Sequence, residues 1–222
     1  MQKIFLPVAA LALSAFSAQA ATKITAVPYT ITAPGTYELT SNLTLFTAGD
    51  AITINVPVPG TVVLNLNGFS ILWNPNQGAV GADNGIGILN TTSPKTVITI
   101  KNGTIGGQDE GFWTGIVVNQ NPPNTTNTTY LANVTIDNVT FSAERWSDVE
   151  LFQVSASTVS NCTFNGLIPG ESEVQYGIQD VGSQGGNHYI NDKFDGGQTY
   201  TLAVEPSVAS VITRADFAFP VQ

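Results

Sequence analysis

Apolar positions along the chain fall into short alternating runs of two kinds. The first kind alternates apolar and polar residues, meets an Asn, then resumes with a β-branched or aromatic stretch. It occurs as Leu64-Asn65-Leu66-Asn67-Gly68-Phe69-Ser70-Ile71 and as Ile98-Thr99-Ile100-Lys101-Asn102-Gly103-Thr104-Ile105. It returns as Val134-Thr135-Ile136-Asp137-Asn138-Val139-Thr140-Phe141 and Ser157-Thr158-Val159-Ser160-Asn161-Cys162-Thr163-Phe164, with a fainter copy over Tyr189-Ile190-Asn191-Asp192-Lys193-Phe194. The second kind lies between these: Ala51-Ile52-Thr53-Ile54, Gly85-Ile86-Gly87-Ile88, Gly115-Ile116-Val117-Val118, Glu150-Leu151-Phe152-Gln153-Val154 and Gly177-Ile178-Gln179, with Tyr200-Thr201-Leu202-Ala203-Val204 as a sixth. Period-2 runs rich in Val, Ile and Thr predict strands, and no long stretch carries the 3.6-residue period of an amphipathic helix.

The repeat carries more information than any single strand. Asn67, Asn102, Asn138, Asn161 and Asn191 stand at intervals of 35, 36, 23 and 30 residues. Two strands per repeat with a turn Asn at one point describe an all-β parallel solenoid of about five to six coils. Coils stacked at about 4.8 Å give a body roughly 25–30 Å long. Asn67, Asn102, Asn138 and Asn161 are expected to form one column at a bend, bonding the backbone or one another. Uneven intervals are absorbed by insertions at the turns. Residues 22–45, with the Pro34-Gly35 turn, are expected to cap the first coil. A β-sandwich is also built from short strands, but it requires neither aligned repeats nor an Asn column.

Residues 31–40 (Ile-Thr-Ala-Pro-Gly-Thr-Tyr-Glu-Leu-Thr), 51–54 and 63–71 resemble the opening of bacterial exported right-handed parallel β-helix proteins of the pectin-lyase-like fold, and 98–105 resembles their next coil. The resemblance covers residues 30–120 well and the remainder loosely. It implies a fold, and a class that includes polysaccharide lyases, glycoside hydrolases and sugar epimerases. A fold alone does not fix an activity.

The N-terminus changes the picture of location. Lys3, the apolar run Ile4 to Phe16 and Ala18-Gln19-Ala20 read as a secretory signal peptide over residues 1–20, leaving 21–222 as one domain. The apolar run is shorter than the ~20 residues of a membrane span. The expected location is therefore periplasmic, cell-surface or secreted, with no transmembrane segment after cleavage and a monomeric state. Cys162 is the one cysteine, which rules out an intramolecular disulfide and reads as a small buried side chain. Charged residues make up 10% of the chain and the net charge is −9, so nucleic acid is an unsuitable partner.

Candidate chemistry is sparse. The hydrolase motifs of the resembling family are missing, and His188 is the one histidine. Lyases of that family use carboxylate-bound calcium to acidify a uronate, and an Arg as base. The segment Glu144-Arg145-Trp146-Ser147-Asp148-Val149-Glu150 is the best local match, with Arg145 as base and Asp148, Glu150 and Asp109 of the preceding coil as calcium ligands. Two neighbouring acids favour a charged Arg145, which argues for an ion pair and against a base. Trp113 and Trp146 occupy similar places in successive repeats, with Phe112 beside Trp113, and are read as glycan-stacking aromatics or as flanking core. The expected function is a non-catalytic exported protein of the surface or matrix, binding a polysaccharide or cell-surface glycan. The alternative is a calcium-dependent polysaccharide lyase.

Overall fold

A computed structural model describes residues 20–74, 83–107, 111–120, 131–142, 144–166, 176–181, 186–194, 200–204, 211–213 and 216–217. The leader assigned to residues 1–20 lies almost wholly outside these, as do Asp109 and the loop 121–130. The described residues are all-β, with no helix. Every strand pairing is parallel, and the strands form sheets of thirteen, seven and two. None of the described segments is a helix long and apolar enough to cross a membrane.

The chain moves alternately between the two large sheets. In the long sheet the order runs Thr22–Ile24, Gly35–Leu39, Thr61–Asn65, Val97–Gly106, Val134–Ser142, Thr158–Ser160, His188–Ile190, Val211–Thr213. In the second sheet it runs Tyr29–Ile31, Ile52–Ile54, Asn84–Leu89, Thr114–Gln120, Ser147–Phe152, Tyr176–Val181, Tyr200–Val204. Each passage adds one strand beside its predecessor. The second sheet thus has seven strands, more than the five or six returns expected from the repeats. The difference lies at the start, where residues 22–45 contribute strands to both sheets. Thr22–Ile24, Tyr29–Ile31 and Gly35–Leu39 pair as ordinary members of the two sheets.

In-register parallel pairing stacks like on like. Ile52, Ile86, Ile116, Val149 and Ile178 form one buried column. Leu64, Ile100, Ile136, Val159 and Tyr189 form another in the long sheet. Phe141, Phe164 and Phe194 stack face to face at 5.2 and 4.7 Å. Each such side chain leaves water almost completely, a contribution of about 1.5–3 kcal/mol apiece. One inward position breaks the pattern. Asp180 stands where Ile54, Ile88, Val118 and Leu151 stand in earlier strands. It is accommodated because Tyr189 Oη donates to it at 2.6 Å and Asn187 Nδ2 at 3.1 Å. Buried polar groups are tolerated when they are paired in this way.

The Asn bend has a physical cause. Asn102, Asn138, Asn161 and Asn191 have φ between 54° and 61°, the left-handed region that Asn enters at lower cost than most residues. Asn138 Nδ2 donates to Asn102 Oδ1 at 3.0 Å, and Asn191 Nδ2 to Asn161 Oδ1 at 2.9 Å. Asn161 itself turns to Asp137 Oδ1 at 2.8 Å. Asn67 holds the same left-handed backbone at φ 56°, and Leu66 and Gly68 on either side of it bond the Lys101 and Asn102 carbonyls, but its side chain bonds elsewhere. Asn65 pairs with Lys101 and Ser70 with Thr104, so the loop carrying Asn67 is longer than its neighbour. Asn102 consequently donates to Asn65 Oδ1 at 3.2 Å, while Asn67 reaches back to the Leu39 carbonyl.

Candidate functional surface

The second sheet begins at a corner where the chain arrives from the long sheet, and the aromatics gather there. The Trp113 N–H bonds the Asp83 carbonyl, the Trp146 N–H bonds the Trp113 carbonyl, and the Tyr176 N–H bonds the Trp146 carbonyl. This backbone ladder fixes the side chains one above another. The Trp113 and Trp146 rings lie 5.9 Å apart and 4° from parallel, and Tyr176 meets Trp146 edge-on at 5.6 Å. All three are half-buried, so their rims reach the surface. The stack turns the indole faces along the sheet and toward each other. What it offers a ligand is a ridge of ring edges rather than an open ring face.

Phe112 does not belong to that ridge. It is fully buried and packs edge-on against Trp73 at 5.7 Å. Adjacent residues in extended chain project to opposite sides, so Phe112 enters the core as Trp113 leaves it. Its assignment as a glycan-stacking residue is therefore corrected.

Polar groups border the ridge. Val149 and Leu151 point inward and are buried, which turns Glu150 outward between Val117 and Gln179 on the neighbouring strands. Thr114 Oγ1 lies 3.5 Å from Glu150 Oε2, and Trp146 Nε1 donates to Gln179 Oε1 at 3.3 Å. Partial burial pushes the Glu150 carboxyl up to about 7, against the opposing pull of the Thr114 hydroxyl and the Trp146 indole. Tyr176, Gln179 and Thr114 were not singled out by the sequence. Register alone reveals them: Tyr176 pairs with Ser147, one place after Trp146, and Gln179 pairs with Glu150.

The proposed calcium set is placed differently. Asp148 sits opposite Gly115, between the pairs Thr114–Ser147 and Ile116–Val149, and is only 4% exposed. A second buried acid, Glu144, lies beside it. Burial first, and the Asp148 charge second, hold the Glu144 carboxyl well above the usual carboxylate range. Two carboxyls enclosed together in this way favour sharing a proton. Asp148 thus projects to the same side of the strand as Glu150 but is covered, with Glu144 against it, while Glu150 is partly exposed. Asp109, the third ligand of that set, lies outside the described residues. Among the described residues there is no group of three or more His, Cys, Asp or Glu side chains placed to hold a metal ion. Arg145 is half-buried, and its backbone N–H bonds the Phe112 carbonyl.

The remaining candidates lie elsewhere. His188 is half-buried on the long sheet, paired with Thr158, and far along the chain's path from the aromatic corner. Cys162 is buried at the Asn bend, with its N–H on Asp192 Oδ1 at 2.9 Å. Burial, and then the Asp192 charge, push its thiol up to about 12.

The chain matches no family model, no curated protein and no solved structure at a significant level.

Proposed function

We propose that the protein is an exported right-handed parallel β-helix, one domain over residues 21–222 after a leader at 1–20, that binds a non-anionic glycan without catalysing its conversion. The observation that carries this reading is the half-exposed ridge of Trp113, Trp146 and Tyr176, bordered by Glu150 and Gln179. Sugars combine apolar C–H surface with hydroxyls. A rigid aromatic ridge edged by a carboxylate and an amide complements both. The negative charge of the chain disfavours a polyuronate.

The non-catalytic part of the reading is supported by where the acids are. Asp148, which the lyase alternative needs as a surface calcium ligand, is buried with Glu144. The alternating passage between two parallel sheets supports the β-helix, and the sequence resemblance adds its handedness and the pectin-lyase-like architecture.

The test is a glycan array probed with the mature protein and with the Trp113→Ala/Trp146→Ala double variant, alongside incubation with pectate and alginate in calcium. The expected result is binding to neutral or amino glycans that the double variant loses, and no unsaturated product from either polyuronate. Calcium-dependent product abolished by Arg145→Ala would replace this reading with the lyase.

A further inference from the structure

The ridge contains one ionisable carboxylate, and its setting is informative. Glu150 faces outward from a strand whose flanking residues Val149 and Leu151 are buried. Its strand neighbours are Val117, 5% exposed and apolar, and Gln179, neutral. Its hydrogen-bonding neighbours are the Thr114 hydroxyl and the Trp146 indole. Among the described residues, the groups that act on it are the Thr114 hydroxyl and the Trp146 indole, and neither is a cation. A partly desolvated carboxylate without a cation is an unsatisfied electrostatic demand on a surface of otherwise neutral groups. Gln179, whose carbonyl oxygen accepts from Trp146 Nε1, has only a neutral amide to offer it, which supplies no countercharge.

We propose that Glu150 is the specificity-determining group of this ridge, selecting sugars that carry a free ammonium group. This rests on the reading of the ridge as a glycan surface and adds the substrate class. An amino sugar laid across the ring edges of Trp113 and Trp146 places its ammonium on Glu150 and a hydroxyl on Gln179. The charge-assisted bond between ammonium and carboxylate is stronger than the neutral bonds around it, and the half-buried setting limits its screening by water. An N-acetylated sugar of the same ring shape presents an amide N–H there and forgoes that ionic bond.

The experiment compares a glucosamine hexamer, its fully N-acetylated counterpart and poly-lysine, by calorimetric titration into the mature protein, Glu150→Gln and Glu150→Asp. The expected result is that the free amine binds about tenfold more tightly than the acetylated hexamer, a difference of about 1.4 kcal/mol. Glu150→Gln should bring the two hexamers level. Glu150→Asp, which keeps the charge and checks that the surface is intact, should retain the preference. Equal binding of the two hexamers by the wild type overturns the selection by Glu150 but leaves the glycan ridge standing. A preference that survives Glu150→Gln also overturns it. Poly-lysine binding as tight as the amino hexamer, and unaffected by Trp113→Ala, overturns it in favour of unspecific charge attraction. Binding of neither hexamer removes the ridge reading together with this one.

Discussion

Asn138 donates its side-chain amide to the side-chain oxygen of Asn102 at 3.0 Å, and both residues hold left-handed backbone, at φ 54° and 61°. The same side chain thus sets the bend and ties one passage of the chain to the next. Asn138 is exposed, so its bond to Asn102 contributes only modestly, and the backbone conformation matters at least as much. Replacing Asn138 by Ala should cost about 1–2 kcal/mol, because Ala in this region meets its own Cβ penalty. Asn138→Gly loses the same hydrogen bond but enters the region freely, and should cost less. Urea denaturation of both variants checks this. Equal losses would show that the bend does not depend on left-handed propensity.

Gly115 offers a second test of the packing that positions the ridge. A Cβ there would lie 2.6 Å from the Asp148 carbonyl oxygen and 2.7 Å from Phe141 Cδ1. Neither neighbour is a flexible chain end, so Gly115→Ala should destabilise by about 1–3 kcal/mol. Thermal unfolding measures it. A variant as stable as the wild type would mean that the strands at this corner sit further apart than described.

The buried acids set a pH dependence with a definite sign. Burial holds Asp192 and Glu150 at about 7 and Glu144 well above its ordinary range. Each raised value means that the folded state binds protons more tightly than the unfolded chain. Stability should therefore be greatest below about pH 4, as far as these groups decide it, and should fall as pH rises toward about 7. Asp192→Asn should flatten part of that fall, which melting temperatures across this range will show. Stability rising over the same interval would contradict the burial of these carboxyls.

Cys162 should be inert in the folded protein, since its thiol is buried and pushed up to about 12. Thiolate is the reactive form, so alkylation at neutral pH should proceed only in denaturant. Mass spectrometry after iodoacetamide treatment distinguishes the two states. Rapid labelling of the native protein would place the thiol at the surface.

How far the sequence revealed this architecture depends on which interactions set each feature. The inward columns through Ile100 and Ile136 were readable because the period is local and in-register pairing merely repeats it. The Asn bend was readable because left-handed backbone selects that residue. The longer loop at Asn67 was not, since a displacement of register shows only when the neighbouring strand is in place. A second left-handed corner, with Asn133 at φ 62° and Ala156 at φ 49°, carries no consistent residue signal, because Ala has no preference for that region. The stacking of Trp113 on Trp146 is legible from their similar repeat positions. Phe112 was misplaced because neighbouring aromatics look alike until the strand direction assigns one to the core. Asp148 was assigned to the surface because the Gly115 opposite it and the enclosing Glu144 belong to packing between strands and turns, which no local pattern reports.

The claim that the ridge is the binding surface is tested most directly by the indole N–H signals of the three tryptophans during titration with a glucosamine hexamer. Trp73 is buried against Phe112, whereas Trp113 and Trp146 form the half-buried stack, so the three report on different places. Signals assigned by single Trp→Phe variants should shift for Trp113 and Trp146 with a common saturation curve, leaving Trp73 unmoved. Saturable binding of the sugar with the Trp113 and Trp146 signals unchanged would place the surface elsewhere, and no binding at all would end the claim.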